Sequence, residues 1–447
     1  MNELTFIILN LIISSAVGVL FQNCGIFICG IIGLVIVTIV IRKCDERLYY
    51  AVFAAYIVSI IAMLILYYGY INEFGIPYYI GGSDDLMFEN KAKELIENNK
   101  YFIFQTINYD MQSANNSKAF VVLLSWIMRI CGIFGGYHTI AFRILNINIW
   151  ISTAILAYKA LIDMTHNRYS AKKYIISFLA LALFPNAIYI SIHVFRDTIN
   201  SAILFFIYYI WNHKDNIKGI PKVVITLMVT YYAYWLRAEN IYLIGFIVIM
   251  SIILSIKNLN NKSFFILCIV SLFGIIFLNS MGIWDKVLRT TSFYSTYVFG
   301  DMDGLSIYLF KIPLVPYGWI LRIVAGLFSP IPTSILKILY IFDSVTVLFN
   351  FFIAVGVIFQ IFMIPYTLRN IKYLDTLTFT FFIVFCSVVL VTFTFRHFIF
   401  IYPFLMIMIA RQFIETKKKY KYLWFWIMFC LMVLLLSIYI LVRLIIT

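Results

Sequence analysis

Charged side chains are scarce in this sequence. Asp, Glu, Lys and Arg together make up only 12% of its 447 residues, whereas 63% are hydrophobic and the mean hydropathy is +0.96. A soluble domain of this composition would have too little polar surface to present to water, so the composition excludes an ordinary soluble protein. Apolar runs of about 20 residues, the length that spans the hydrocarbon core of a bilayer, recur from Leu4 to Ile446. The sequence therefore predicts an all-α integral membrane protein.

Features of several other protein classes are also missing. The seven cysteines show neither the spacing of a metal site nor that of a disulfide framework. The first apolar stretch, Leu4 to Phe21, has no basic segment before it, so we interpret it as a retained transmembrane helix and not as a cleaved signal peptide. No internal repeat and no low-complexity tail is visible. We expect a single transmembrane domain over residues 1–447, without a separate soluble domain.

The net charge of +14 could indicate a nucleic-acid partner, but its distribution argues against one. The lysines and arginines lie mostly in short loops between apolar runs, as the positive-inside rule predicts for cytoplasmic loops. We therefore place on the cytoplasmic side the loops 42–47, 168–173, 214–222, 257–262, 369–372 and 411–421.

The segments between the basic loops are then expected on the outer side. They include two long loops, residues 71–139 and residues 279–335, and the second contains a proline-broken stretch at 319–332 that is typical of a re-entrant segment. The stretch 119–135 is apolar enough to span the membrane, but it carries Arg129, and a charge at mid-bilayer is costly. We interpret it as an amphipathic helix at the outer interface. By the length rule, this arrangement leaves about 13 transmembrane helices.

The strongest chemical signal is an acidic turn in the first outer loop. Two glycines permit a tight turn before Asp84 and Asp85, and Glu89 follows one helical turn later. The acids could simply cap the following helix and complement its dipole, a role that Ser83 could share. Capping needs only one acid, however, whereas adjacent acids just outside a span suit general-base catalysis or a divalent cation. Asp84 and Asp85 are therefore the candidate catalytic residues; no metal site is assigned, and a divalent cation at Asp84, Asp85 and Glu89 stays an alternative.

Three short outer hairpins each contribute an arginine. Interfacial anchoring could account for each of them singly, and hydrogen bonding is the commoner role for their histidines. Ionisable groups at or within the membrane are nevertheless functional candidates by default, and these recur on one face. The candidate substrate-binding residues are Glu89, His193, Arg196, Asp197, Arg237, Glu239, Arg396, His397 and Tyr402.

This set of residues suits a phosphate-linked substrate. Arginine binds phosphate oxygens bidentately, and several arginines at one leaflet could hold a polyprenyl phosphate or pyrophosphate at the level of the lipid headgroups. The same arginines would stabilise the charge that develops on a departing phosphate. A carboxylate of the acidic turn would take the proton from an incoming hydroxyl that attacks the anomeric carbon from the opposite face. One such displacement inverts the configuration at that carbon.

Three stretches of the sequence resemble the GT-C class of polytopic glycosyltransferases, which includes the protein O-mannosyltransferases. They are the acidic stretch 84–92, the stretch 125–144 with its glycine break before an arginine-bearing span, and the stretch 396–404 with its late arginine and proline. The resemblance implies that the catalytic acid lies in the first outer loop, at Asp84 or Asp85, and that the donor is a polyprenyl-phosphate sugar. Several members of the class have a large C-terminal soluble domain, and we expect none here.

The chain also looks like the repeat-unit polymerases of O-antigen and capsule assembly, in its hydropathy and its outer-loop arginines. We therefore expect an inverting glycosyltransferase in the bacterial inner (plasma) membrane, with its active site on the outer face, that transfers a single sugar or a repeat unit from a polyprenyl-linked donor to a glycan or glycolipid acceptor. The alternative is a transporter or flippase of lipid-linked oligosaccharide, in which charges usually lie near the midplane within inverted repeats. A receptor or structural subunit is a third interpretation.

Overall fold

A computed structural model describes residues 1–213, 219–255, 309, 311–328, 343–390 and 395–446. Within these ranges every regular element is a helix, so the predicted all-α class is confirmed for the described part of the chain. The α-helices are α1 (Glu3–Leu20), α2 (Cys24–Ile41), α3 (Glu46–Phe74), α4 (Asp84–Glu97), α5 (Ile103–Thr106), α6 (Lys118–Ile133), α7 (Thr139–Met164), α8 (Ala171–Ala182), α9 (Pro185–Ser191), α10 (Arg196–Asn212), α11 (Ile220–Leu236), α12 (Asn240–Ser255), α13 (Trp319–Phe328), α14 (Val345–Arg369), α15 (Thr376–Val389), α16 (Tyr402–Glu415) and α17 (Lys418–Ile446).

Six of the described helices are long and apolar enough to cross a membrane, namely α1, α2, α3, α7, α14 and α17. Helices α8 and α9 together would make a seventh span that is bent by 53° at the break between them. The protein is therefore a helical membrane protein, and the expected number of about 13 spans stays a prediction. The basic loop at 257–262, most of the outer loop at 279–335 and the last four residues of the proposed re-entrant segment (329–332) lie outside the described residues.

Helix α7 forms the centre of the bundle. Its most apolar window is 89% buried, and it packs against α2, α3, α8, α10 and α16. Gly33 of α2 lies so close to α7 that a Cβ there would be 2.5 Å from the Asn148 side-chain nitrogen. Small residues of this kind let transmembrane helices approach each other closely without a hydrophobic driving force. The polar face of α7, which includes Asn146, is thereby enclosed inside the bundle.

The first long loop contains two helices, α4 and α6, and α6 covers most of the stretch 119–135 that we interpret as an amphipathic helix. Helix α3 ends at Phe74, and its C-cap Gly75 is in the left-handed conformation (φ +76°). The chain turns again at Gly81 (φ +74°) and Gly82 (φ +100°) before α4 begins. This backbone conformation is accessible to glycine at little cost. Phe88 of α4 packs edge-on against Phe120 of α6 with ring centroids 4.9 Å apart. Their position at a membrane interface stays a prediction.

The loops predicted to be outer and those predicted to be cytoplasmic lie at different ends of the bundle. Helix α16 begins next to the 3₁₀ segment Phe395–Phe400 and ends at Glu415, where Lys372 lies 3.9 Å from the Glu415 carboxylate. At that same end Arg369 donates a hydrogen bond to Thr416, 3.2 Å away. Loops assigned to one side of the membrane therefore do meet at one end. Which end faces outwards stays a prediction.

Candidate functional site

Arg396 lies at the centre of a cluster of charged side chains, at the end of the bundle opposite Glu415 and Lys372. Its Nη1 is 2.6 Å from Oδ2 of Asp84, and its Nε is 2.5 Å from Oδ2 of Asp197. These acids are 312 and 199 residues away in sequence. The guanidinium also lies over the Phe195 ring, 4.0 Å from its centroid. One side chain thus connects the acidic turn, the start of α10 and the 3₁₀ segment before α16.

A second arginine approaches the same buried carboxylate. Nη2 of Arg237, at the end of α11, is 3.8 Å from Oδ1 of Asp197 and 2.7 Å from Nε2 of His397. A guanidinium can only donate, so His397 accepts through Nε2 and carries its proton on Nδ1. Burial and the neighbouring Arg237 lower the pKa of His397 well below its usual value. The imidazole is therefore neutral and extends the cluster without adding charge.

Polar side chains of neighbouring helices hold these elements together. Asn146 of α7 donates to the carbonyls of His193 and Phe195, at 2.9 and 3.2 Å, which fixes the hairpin between α9 and α10. Ser201 of α10 donates to the carbonyl of Ile399, 2.9 Å away, and so ties the Arg396 segment to α10. Backbone carbonyls in irregular segments need such partners, because lipid offers none.

The cluster of Asp84, Asp197, Arg237, Arg396 and His397, hereafter the arginine cluster, contains two negative and two positive groups. Asp197 is fully buried, and the side chains of Arg237 and Arg396 are only 14% and 13% exposed. The Asp84 side chain is 48% exposed. The cluster is thus electrically balanced, and its accessible member is a carboxylate.

The adjacent acid, Asp85, has a different environment. It is completely buried, and its two oxygens accept hydrogen bonds from the backbone N–H groups of Tyr79 and Leu86, at 2.9 and 3.0 Å. Burial raises the pKa of Asp85, while these N–H groups and Arg143 oppose the shift. Asp85 therefore stabilises the turn before α4, and Asp84 rather than Asp85 reaches the arginine cluster.

Glu89 is buried beside Asp85 but faces two tyrosines. Its carboxylate accepts from the hydroxyls of Tyr78 and Tyr137, each at 2.7 Å. The three carboxylates of the acidic turn thus point to different partners: an arginine, the backbone and a tyrosine pair. Among the described residues no group of three His, Cys, Asp or Glu side chains is placed to hold a metal ion.

The other candidate residues lie around the arginine cluster with partners of their own. Arg196 donates to the Asn116 carbonyl at 2.8 Å and to the hydroxyl of Ser117, so it contacts the start of α6. His193 is buried. Its Nε2 is 3.3 Å from the Tyr70 hydroxyl, and its Nδ1 is 2.6 Å from the backbone carbonyl of Tyr189. The remaining two are Tyr402, which accepts from Asn186 at 3.0 Å inside the bundle, and Glu239, which is half-buried beside Arg237.

One buried arginine, Arg143, was not among the candidates. It lies in the first turns of α7 and is completely buried, and its Nη2 donates to the Pro77 carbonyl. Its Nε and Nη1 find no hydrogen-bond acceptor among the described residues. A lone charge inside an apolar span is itself a signal of function, and it could have identified this residue from the sequence.

Comparisons with known proteins do not narrow the function. No family model matches the chain, and no curated protein or solved structure is significantly similar to it. The function must therefore be argued from the arrangement of the residues.

Proposed function

We propose that this protein is a membrane-embedded inverting glycosyltransferase that uses a polyprenyl-phosphate or polyprenyl-pyrophosphate donor. The observation that carries the proposal is the link from Arg396 to both Asp84 and Asp197, with Arg237 on the far side of Asp197. An accessible carboxylate beside two guanidinium groups offers a base for an acceptor hydroxyl and cations for a phosphate. Its position at one end of the bundle suits a donor whose phosphate lies at the lipid headgroups.

Donor binding would exchange the partners within the cluster. Asp84 binds Nη1 of Arg396. A donor phosphate would compete for that edge of the guanidinium, while Nε of Arg396 keeps its bond to the buried Asp197. The exchange would place the phosphate on Arg396 and release Asp84 at the moment when a base is needed. Asp197 then serves as a positioning residue, because it fixes the orientation of both arginines.

The transfer itself is one displacement. The acceptor oxygen forms a bond to the anomeric carbon as the bond from that carbon to the phosphate oxygen breaks, and the electron pair stays on the phosphate. Asp84 takes the proton of the acceptor hydroxyl. Arg396 and Arg237 stabilise the charge that grows on the departing phosphate, where the low dielectric of the buried site strengthens the interaction. The product has the inverted configuration.

The proposed cellular location depends on the assignment of the basic loops to the cytoplasm. With the basic loops in the cytoplasm, the arginine cluster faces the outer leaflet of a bacterial plasma membrane, where lipid-linked sugars are assembled into surface polysaccharide. Transfer of a single sugar, as in the GT-C class, and transfer of a repeat unit, as in O-antigen or capsule polymerases, use this same chemistry. The acceptor in either case is a glycan or glycolipid.

The decisive experiment removes the base and preserves its shape. We expect Asp84→Asn to lower glycosyl transfer by about 10²- to 10⁴-fold, the usual contribution of a general base. The measurement is mass spectrometry of lipid-linked glycans in cells that lack the gene and carry either the wild-type chain or the variant. Asp84 is half-exposed, so the variant should insert and fold normally.

Asp163→Asn provides the matched control. Asp163 is also a half-exposed acid with a basic partner, His213, at 2.9 Å, but it lies at the opposite end of the bundle. The control should retain wild-type glycans. Wild-type glycans in cells with Asp84→Asn would exclude Asp84 as the base and with it the proposed mechanism.

A second candidate function is a flippase for lipid-linked oligosaccharide. The specific observation in its favour is the 53° break between α8 and α9, since broken membrane helices are typical of transporters. Reconstituted protein separates the two functions. A flippase moves a labelled lipid-linked oligosaccharide across the bilayer of a proteoliposome and forms no new glycosidic bond, whereas the proposed enzyme forms the bond.

A further inference from the structure

A second site lies at the opposite end of the bundle from the arginine cluster. Residues of α14, α16 and α17 line an open cavity of about 530 Å³. Lys418 and Lys421, at the first turn of α17, line its cationic end, hereafter the mouth. The 14 residues of α16 separate this level from the arginine cluster, a distance of about 20 Å along a helix. The cavity is therefore a different place from the proposed active site.

The inner part of the cavity is apolar and aromatic. Phe362 of α14 stacks on Phe425 of α17 with ring centroids 4.9 Å apart and an interplanar angle of 19°. Met363 and Trp426 line the same part. These residues of α17 lie seven to eight positions after Lys418, which places them about 10 Å deeper along the helix. The cavity thus runs parallel to the helices, from a cationic mouth to an apolar interior.

The two lysines at the mouth have aromatic rather than acidic neighbours. Lys421 lies 3.8 Å from the centroid of the Phe413 ring, and Lys418 lies 5.8 Å from that of Tyr422. The nearby acid, Glu415, accepts from the Tyr373 hydroxyl at 2.6 Å and lies 3.9 Å from Lys372. Within the described part of the chain no carboxylate lies within salt-bridge distance of either lysine. Both ammonium groups are available to an external anion.

Helix α17 is also the least enclosed of the candidate spans. Only 6% of its apolar window is buried inside the protein, so in a membrane most of its surface would face lipid. Amphipathic ligands with a phosphate at one end fit such a place, because basic pockets at the cytoplasmic ends of membrane helices bind the headgroups of anionic lipids. The lysine stems can lie along the apolar wall while their ammonium groups reach the headgroup level.

We propose that this cavity binds one anionic phospholipid of the membrane leaflet opposite the arginine cluster. The headgroup phosphate lies between Lys418 and Lys421, and an acyl chain lies in the apolar part between Phe362 and Trp426. The cationic mouth selects the charge of the headgroup, and the aromatic interior requires a hydrocarbon chain. This assignment does not depend on the proposed glycosyltransferase activity.

Native mass spectrometry of the full chain in detergent tests the proposal. The protein is titrated with phosphatidylglycerol or phosphatidylcholine, and the occupancy of the first bound lipid is measured. We expect phosphatidylglycerol to bind more tightly than phosphatidylcholine, and Lys418→Gln/Lys421→Gln to weaken phosphatidylglycerol about thirtyfold, which corresponds to about 1 kcal/mol for each lysine. Trp426→Ala, a change at an exposed residue, should weaken both lipids alike.

The matched control is Lys43→Gln/Lys172→Gln, which removes two exposed lysines at the same end of the bundle but outside the cavity. It should bind phosphatidylglycerol like the wild type. Equal losses in the two double variants would show a general charge effect and overturn the proposal. Equal binding of the two lipids by the wild-type chain would also overturn the proposal. Displacement of phosphatidylglycerol by inorganic phosphate at equal concentration would show that the site binds phosphate and not a lipid. A lipid-free dimer formed through α17 would show that a second copy of the chain covers the cavity.

Discussion

Two arginine–aspartate clusters lie at opposite ends of this bundle. At one end Arg396 binds Asp84 and Asp197; at the other, Nη1 of Arg411 is 2.5 Å from Asp375 and its Nε donates to Asn370 at 2.8 Å. Both guanidinium groups also lie over an aromatic ring, at 4.0 and 3.9 Å from the centroid. The same pair of residue types is thus used twice in similar surroundings.

The two clusters differ in what else their acids do. Asp375 caps α15, because its Oδ1 accepts from the backbone N–H of Thr378 at 2.9 Å while Oδ2 binds Arg411. Every residue of that cluster comes from a continuous stretch of 42 residues, 370–411. Asp84 has no such capping bond and is half-exposed. An acid that caps a helix and pairs with an arginine nearby in sequence is structural, whereas an accessible acid held by an arginine from a distant segment is a candidate for chemistry.

The largest effect on stability should follow Asp197→Asn. This change leaves Arg237 and Arg396 without their shared buried counter-charge, and breaking a buried pair in this way costs about 3–5 kcal/mol. The free energy of unfolding, measured by titration with dodecyl sulfate in detergent micelles, reports the loss. A loss below about 1 kcal/mol would indicate that Asp197 does not hold the two arginines together, and the comparison of the two clusters would then fail.

A smaller effect should follow Asp375→Asn at the other end. Asparagine caps a helix as well as aspartate does, so the change removes only the charge on the Arg411 contact, and a hydrogen bond between charged groups contributes about 1.5–3 kcal/mol. The same unfolding titration measures the change. Glycan production per folded molecule should stay at the wild-type level, in contrast to Asp84→Asn. A loss of product without loss of folded protein would place the Arg411 cluster in the chemistry.

The pH dependence of stability should also distinguish the two ends. Burial lowers the pKa of His397 and of His193, so the folded protein resists protonation that the unfolded chain accepts near pH 6.5. The contribution of these histidines to the free energy of unfolding is therefore complete above about pH 6.5. Below that pH each histidine lowers the free energy of unfolding by up to about 1.4 kcal/mol for every pH unit. Unfolding titrations between pH 5 and 8 should show this slope.

His397→Gln should reduce that slope, because one imidazole with a lowered pKa is removed while a side-chain oxygen remains for Arg237 to contact. His166→Asn at the opposite end is the control. His166 is exposed, and its φ of +51° suits asparagine. An unchanged slope in His397→Gln would show that His397 does not resist protonation in the folded protein.

Much of the candidate site could be identified from the sequence as single residues. Asp84, Asp197, Arg237, Arg396 and His397 all interrupt or flank apolar runs, where lipid makes a charged group expensive. Their pairing could not be identified. Asp197 follows Arg196 directly in sequence, yet its carboxylate binds Arg396 and approaches Arg237. Only helix packing brings such distant residues together.

The sequence by itself determined that the chain is a helical membrane protein and that its chemistry-bearing residues flank the spans, because composition and hydropathy follow directly from the solvent. Tertiary structure alone decided which carboxylate of the adjacent pair is accessible. Successive residues of a helix point about 100° apart, so Asp85 is turned into the protein against the backbone of Tyr79 and Asp84 is turned towards Arg396. That difference depends on how α4 packs on α6 and on the position of the Arg396 segment, which no local pattern encodes.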